Sequence, residues 1–342
     1  MDRVVIIGLG LIGGSLGMAL KAAKLWGIEI VGVDNSWDVV NQAKKKSAVD
    51  ATERSAAIAV KSAQLVIVAT PLMAFPEIFQ EIAPYLQEGS VVTDTGSTKA
   101  RVMQWAQELL PPTVHFVGGH PMAGREVSGI WEASATLFQK ATYCIMPAPS
   151  AANAAVELIA GLATTVGATP YFVDPEEHDM LVAGISHLPL LASAALVNTT
   201  AASPSWDEMA KLASTGFRDA SRLASTDPEL SRGIGLTNQP GLLHWLDGYL
   251  KVLLEYRRAL VEDPDRLLAE LSRAHEARLK WLAGLQQRGG PQSVQELPSA
   301  GEQMAELFVG SRLAQAMREQ QEKWREADPG PGRERKDPRT PP

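Results

Sequence analysis

A doubly wound α/β sheet followed by an all-α region is the architecture that three features of the sequence predict. The first is a strand, a glycine turn and a helix in immediate succession: Arg3-Val4-Val5-Ile6-Ile7, then Gly8-Leu9-Gly10-Leu11-Ile12-Gly13, then apolar residues at helical spacing to Leu20. The second is the recurrence of short β-branched runs alternating with helical stretches as far as Val173, the pattern of parallel strands joined by crossover helices. The third is a change of character near residue 175, after which alanine, leucine and charged residues recur at helical spacing and strand-like runs stop. At 342 residues the chain exceeds the roughly 250–300 at which a single core stops growing, so two domains are expected. We divide it into residues 1–174, 175–290, a further helical segment at 291–327 and a proline- and charge-rich tail at 328–342 expected to be disordered.

In order, the opening Gly-x-Gly-x-x-Gly follows a strand and begins a helix, the context that a dinucleotide fingerprint requires. Gly8 permits the turn, Gly10 lets the backbone approach a pyrophosphate and Gly13 lets helix and strand pack, while Leu11 and Ile12 open the helix whose free N–H groups favour negative charge. A second strand, Ile28 to Val33, ends in Asp34, about 20 residues beyond the last glycine, where an acid accepts hydrogen bonds from the adenosine ribose. These features predict a Rossmann-type domain binding NAD rather than NADP, because Asp34 repels a 2′-phosphate. After a helix near 36–47 and a weaker one at 55–62 comes the run Leu65 to Ala69, apolar throughout as for a parallel strand covered on both faces. It ends in Thr70-Pro71. A helix at about 74–86, the strand Ser90 to Asp94, another helix through Leu110 and the strand His115 to Val117 follow, then the loop Gly118 to Gly124. A buried strand about Cys144, a helix at 151–166 and the strand Thr169 to Val173 close the domain. Ligands of open parallel sheets bind beyond the carboxyl ends of the strands, which singles out Thr70, Ser97 and His120. Helical stretches at 178–200, 206–223, 228–235, 238–261 and 264–286 make up the second domain, with Pro204, Pro228, Pro240 and Pro264 as breaks. One small bundle cannot cover such long apolar helices, so burial shared between two subunits is expected.

Composition narrows the function. A net charge of −7 leaves no basic excess for neutralising phosphates, which argues against nucleic acid or an anionic membrane as partner. Cys144 is the single cysteine and has no internal partner; it reads as a structural thiol of a reducing cytosol, with no basic neighbour to activate it. No apolar run reads as long as the roughly 18–20 residues of a membrane span, and the strand at residue 3 leaves no room for a signal peptide, so a cytoplasmic protein without a bound metal is expected.

Five patterns occur in the order found in the prephenate and arogenate dehydrogenases of tyrosine biosynthesis, and the resemblance runs to about residue 285. They are the Gly8–Gly13 fingerprint, Asp94-Thr95-Gly96-Ser97-Thr98-Lys99, Gly119-His120-Pro121-Met122-Ala123-Gly124, Ile185-Ser186-His187-Leu188-Pro189 and Gly216-Phe217-Arg218-Asp219-x-x-Arg222. The resemblance implies a Rossmann domain with a helical dimerisation domain, NAD as cofactor, and oxidation of a 4-hydroxycyclohexadiene substrate with loss of its ring carboxylate as CO2. The product is 4-hydroxyphenylpyruvate from prephenate or tyrosine from arogenate. His120 resembles the family's catalytic histidine; a neutral imidazole suits a step in which a hydroxyl proton leaves as carbonyl character develops. Ser97 resembles the serine that bonds both this histidine and the substrate hydroxyl, although a serine before a helix also serves as an N-cap. Arg222 matches the arginine that holds the ring carboxylate by two hydrogen bonds, and Arg218 stands where many members carry lysine. Without the resemblance, two cations one turn apart read as a solvated helix face. Glu126 resembles an acid that gates the pocket. His187 is assigned to the substrate side of the interdomain cleft, with a satisfied core histidine as the alternative.

Other enzyme classes share this two-domain plan. The β-hydroxyacid dehydrogenases and imine reductases depend on a helical-domain lysine for which this chain offers no comparable site. A non-enzymatic NAD-sensing protein would need neither Ser97, His120 nor two arginines. Two departures bear on the substrate: where many prephenate enzymes read His-Leu-Pro-His, Leu190 stands in the last position, and Ser231 replaces a frequent tryptophan. Neither a regulatory domain of the ~70-residue kind nor a preceding mutase domain is expected. We read the chain as a prephenate dehydrogenase, with arogenate or dual use as the alternative.

Overall fold

A computed structural model of the chain describes residues 2–124 and 128–287. Glu126 and the segments expected at 291–327 and 328–342 lie outside the described residues. The first unit contains β1 (Asp2–Ile7), α1 (Leu11–Ala22), β2 (Ile28–Val33), α2 (Trp37–Lys45), β3 (Ala51–Glu53), α3 (Ala56–Ala59), β4 (Leu65–Val68), α4 (Phe75–Ile82), β5 (Val91–Asp94), α5 (Ala100–Leu109), β6 (His115–Pro121), β7 (Thr142–Pro147), α6 (Asn153–Thr165) and β8 (Thr169–Phe172). Its strands form one eight-stranded sheet in the order β3-β2-β1-β4-β5-β6-β7-β8, parallel throughout except between β6 and β7. The apolar runs are continuous because both faces are covered: Val4, Ile6, Leu65 and Ile67 enter one core with Leu16, Leu20 and Leu158, while Val5, Ile7, Val66 and Val68 enter the other with Phe75, Phe79 and Val102.

The second unit is helical: α7 (Pro175–Val182), a π turn at Ala183–His187, α8 (Leu188–Ala201), α9 (Trp206–Leu212), α10 (Thr215–Ser221), α11 (Pro228–Thr237), α12 (Gln239–Glu262) and α13 (Pro264–Gln287). Asp174 starts α7 by accepting the N–H groups of Glu176 and Glu177, and Asp227 starts α11 by accepting those of Glu229 and Leu230. The π turn ends at His187, with only Leu188 between it and Pro189, which has no N–H to give and whose ring crowds the preceding turn. The units are joined where α11 meets the segment after Pro71: Ile234 enters the second core, Gly233 faces Leu72 and Met73, and the Thr98 hydroxyl bonds that of Thr237 at 2.8 Å.

The structure departs from the sequence expectation in four places. β3 adds an edge strand beside β2 where only a connection was expected. The helix expected at 206–223 is two helices with a break at Ala213-Ser214. His120 belongs to a strand rather than a loop: β6 leaves β5 at Val117 but continues along antiparallel β7, with His120 opposite Cys144. Finally, α7, the π turn and α8 form one continuous helix, Pro175–Ala201, which by length and composition is long and apolar enough to cross a membrane. The helix itself was expected at 178–200; its apolar length was not, because polar residues spaced along it interrupt the run without breaking the helix. Ile185, Leu254, Leu260 and Leu268 of the helical unit are each about two-thirds exposed or more.

Candidate active site

The carboxyl ends of β1, β2 and β4 meet where the strand order reverses, the place at which open sheets bind ligands. Gly8 turns the chain with φ of 92°, and a Cβ there would lie 2.6 Å from the Ala69 carbonyl oxygen. A Cβ on Gly13 would lie 1.9 Å from the Gly8 oxygen, so α1 can start this close to β1 only at glycine. Gly10, by contrast, faces open space within 4 Å, and as N-cap of α1 it supplies no side chain to the helix's free N–H groups. Asp34 accepts the N–H of Leu9 at 2.8 Å through one oxygen and that of Ser36 at 2.9 Å through the other, which fixes its carboxylate at the end of β2. The buried Thr70 hydroxyl at the end of β4 has no partner among the described residues. Open backbone N–H groups, a fixed carboxylate and an unpartnered hydroxyl fit a dinucleotide's pyrophosphate and ribose.

Beyond the ends of β5 and β6 lies a buried polar network. Past Val117, β6 loses β5 as a partner, and two side chains take over its exposed edge. Asp94 accepts the N–H of Gly119 at 3.1 Å and that of Gly96 at 2.7 Å, while the Lys99 ammonium donates to the Gly119 carbonyl at 2.7 Å and to Asp94. Asp94 and Lys99 are fully buried. Burial drives the Asp94 carboxyl up and the Lys99 ammonium down in pKa, each opposed by the partner's charge. His120, the next residue along β6, is held well below the usual histidine range by burial and then by the neighbouring His178, Lys99 and His187. Its Nδ1 lies 2.9 Å from His178 Nε2, and His178 Nδ1 lies 2.8 Å from Asp179 Oδ1. Asp179 also accepts the N–H groups of Lys99 and Ala100 at 2.7 and 2.9 Å, capping the start of α5 from the other unit.

His187, the last residue of the π turn, is buried; Nδ1 is 3.2 Å from the Asn238 amide nitrogen, which also donates to the Asp179 carbonyl at 2.6 Å. Its Nε2 is buried without a partner among the described residues. Burial holds its pKa down to about 4, with the Ser97 backbone among the groups that oppose the shift. Ser97, half-buried in the turn between β5 and α5, lies with its backbone near His187. The partner of His120 Nδ1 is nevertheless His178, not Ser97.

Arg218 and Arg222 lie on a different segment. Arg218 is three-quarters exposed beside Asp219 at 3.5 Å. α10 ends at Ser221, so Arg222 opens a 3-10 turn, yet its φ and ψ of −52° and −43° keep the one-turn spacing to Arg218. This segment packs on α8, where Ser193 donates to the Ala220 carbonyl at 2.7 Å. Cys144 is a buried thiol as expected, but it does have a basic neighbour: Lys99 pulls its pKa down while burial outweighs that and raises it to about 11.

Sequence reasoning missed His178, Asp179 and Asn238. His178 and Asp179 follow Glu176-Glu177 in a stretch that reads as the charged start of a surface helix, and only the packing of α7 on α5 buries them. The sole local signal was the cap residue Asp174 ahead of Pro175, which marks the helix start but not its buried face.

Residues 16–171 match the family described as "Prephenate dehydrogenase, nucleotide-binding domain", and residues 174–273 match "Prephenate dehydrogenase, dimerization domain". Over 268 residues the chain is 37% identical to a prephenate dehydrogenase of Bacillus subtilis, covering 77% of this chain and 71% of that protein. It is 32% identical to a cyclohexadienyl dehydrogenase of Zymomonas mobilis over 81% of this chain and 95% of the relative. Two solved structures are similar to it at 82% coverage of this chain. A prephenate dehydrogenase from A. aeolicus in complex with hydroxyphenyl propionate and NAD+ matches over 98% of its length with a TM-score of 0.76 and 28% identity. A Synechocystis arogenate dehydrogenase matches over 99% of its length with a TM-score of 0.69 and 29% identity.

Proposed function

From the premise that the chain belongs to the prephenate dehydrogenase family, we propose that it oxidises prephenate with NAD, releasing the ring carboxylate as CO2 and giving 4-hydroxyphenylpyruvate. The observation that carries this reading is His120: an imidazole kept neutral by burial on a rigid strand just beyond the parallel sheet's carboxyl end. Formation of NADH from prephenate, with none from small hydroxyacids, tests it. Equal turnover of a small hydroxyacid would overturn it.

NAD, when bound, supplies the acceptor for the hydride that leaves the ring carbon bearing the hydroxyl. Gly8, Gly10, Leu11, Ile12 and Gly13 would hold its pyrophosphate and Asp34 its adenosine ribose, with Thr70 and Pro71 as further cofactor-binding residues. His120 takes the hydroxyl proton as the carbonyl forms, and Ser97 orients the same hydroxyl. Arg222, with Arg218 beside it, binds the ring carboxylate, His187 serves the substrate side, and Glu126, outside the described residues, keeps the gating role that the resemblance implies. The open Gly10 surface, the unpartnered Thr70 hydroxyl and the bare His187 Nε2 support these assignments. Residues 1–174 form the nucleotide unit and 175–290 the helical unit in this reading, which is supported by the end of β8 at Phe172 and the start of α7 at Pro175. A second copy covers the apolar helical surface, making a homodimer, and the enzyme works in the cytoplasm.

With Asp34 as the charge that excludes a 2′-phosphate, Asp34→Ala is expected to lower the NAD over NADP preference in kcat/KM by tenfold or more. A wild-type preference for NADP would show the assignment to be wrong. The acid limb of kcat/KM is expected below pH 6.5, because His120 must lose its proton to act and its pKa is depressed; a limb above pH 6.5 would mean that another group is the base.

The second reading, arogenate or dual use, rests on Leu190. It follows His187 by three residues on the same helical run, and it can donate nothing to a ketone. Discrimination between the two side chains is then worth only ~1–3 kcal/mol, so activity on both substrates is expected, with prephenate preferred. A hundredfold preference for arogenate, or no gain in prephenate use on Leu190→His, would reverse the order.

A further inference from the structure

We propose that His178 is the positioning residue that sets the tautomer of His120, with Asp179 as its anchor; the inference rests on His120 being the base. The chain of bonds runs from one structural unit to the other, and its direction follows from a single fact. An ionised carboxylate only accepts hydrogen bonds. Asp179 Oδ1 receives the Lys99 N–H at 2.7 Å and lies 2.8 Å from His178 Nδ1, so His178 must carry its proton on Nδ1. A neutral His178 then has a bare Nε2, and the only group 2.9 Å away that can fill it is the Nδ1–H of His120. His120 in turn carries its lone pair on Nε2, which has no bond to any described residue. Neutral imidazole with its proton on Nε2, the opposite tautomer, would present a donor to the substrate hydroxyl and could not take its proton.

The packing makes this arrangement stiff. His120, His178, Asp179, His187 and Asn238 are all buried, each less than a tenth exposed. The two imidazoles meet edge to face, with centroids 5.1 Å apart and planes at 76°. Asp179 cannot rotate away from His178 without giving up the two N–H groups at the start of α5. When the substrate proton arrives at His120 Nε2, the Nδ1 proton lies on a bond directed at His178 Nε2. It can shift across while His178 keeps its own Nδ1 proton on Asp179; no proton is gained or lost, and the positive charge moves next to the carboxylate. A partner that fixes an imidazole's tautomer and faces its developing charge is worth orders of magnitude in rate in serine hydrolases.

The test has two arms. In the folded wild-type protein, nitrogen-15 spectra of labelled histidine at neutral pH should show His120 and His178 both protonated at Nδ1 and bare at Nε2, assigned with His120→Asn and His178→Gln. This arm needs no turnover, so it stands whether or not prephenate is the substrate. A His120 protonated at Nε2 overturns the proposal. In the second arm, His178→Leu should lose about 10²–10³-fold in kcat with the NAD dissociation constant within threefold of wild type. His178→Gln, whose amide can donate to Asp179 and accept from His120, should regain at least tenfold of that loss. Asp179→Asn should also lower kcat, because in either orientation its amide NH2 meets a backbone donor at the start of α5, that of Lys99 or that of Ala100, and loosens the anchor of His178. If His178→Leu folds and turns over within threefold of wild type, or if Gln and Leu are equally impaired, His178 does not position the base. Should Leu fail to fold, the Gln variant and the spectra decide alone.

Discussion

His120→Asn is expected to lower kcat with prephenate by roughly 10²–10⁴-fold, the range typical for removing a general base, while the NAD dissociation constant stays within a few-fold of wild type. The amide fits the strand position opposite Cys144 and can still donate toward His178, but it cannot take a proton near neutral pH. The residue lies near the end of β6, well across the sheet from the Gly8 turn and Asp34 at β1 and β2, so the adenosine half of the cofactor is untouched. Single-turnover kinetics with nucleotide binding measured in parallel would check both halves. Turnover within threefold of wild type removes His120 from the role of base.

Lys99→Met is expected to be among the most damaging single changes to the fold, costing about 3–5 kcal/mol, because it leaves the Asp94 carboxylate buried without its counter-charge. For a domain of this size that is a fall in melting temperature on the order of 10 °C. The damage reaches catalysis as well. Lys99 holds the Gly119 carbonyl, the residue before His120, at the stretch where β6 has no strand beside it on the β5 side. Thermal unfolding of Lys99→Met and Asp94→Asn, alone and combined, measures the coupling. Additive effects would show that the two side chains do not act as a pair.

Acid should weaken the native state through His187. Its folded pKa of about 4 lies below the ordinary histidine value of 6.5, so between these limits the unfolded chain binds a proton that the folded chain refuses. The contribution is fully present above pH 6.5 and is lost as pH falls toward 4. Urea unfolding across that window should show falling stability, and His187→Asn should reduce the dependence, with the depressed pKa of His120 supplying the remainder in the same direction.

Most of the sheet was legible because its strands are covered on both faces, so Val4 to Ile7 and Leu65 to Val68 are apolar without interruption and could be read as parallel strands without knowing their neighbours. The glycine turn was equally legible, since Gly8 and Gly13 answer steric demands that no other residue meets. β3 was not, because Ala51-Thr52-Glu53 has no apolar pattern and is a strand only through pairing with Val31 to Val33. The continuation of β6 through His120 was hidden for the same reason: Gly118-Gly119 reads as a loop, and it is the antiparallel β7 on one side with Asp94 and Lys99 on the other that keeps it extended. By itself, then, the sequence determined the nucleotide turn, the acid that follows β2, the order of strand and helix, and the residue types at His120 and Ser97, all of which depend on spacing along the chain. Tertiary structure alone decided that His178 and Asp179 leave the solvent, cap α5 and reach His120, because burial and hydrogen-bond partners belong to residues 58 and 80 positions apart, which only the packing of α7 against α5 brings together.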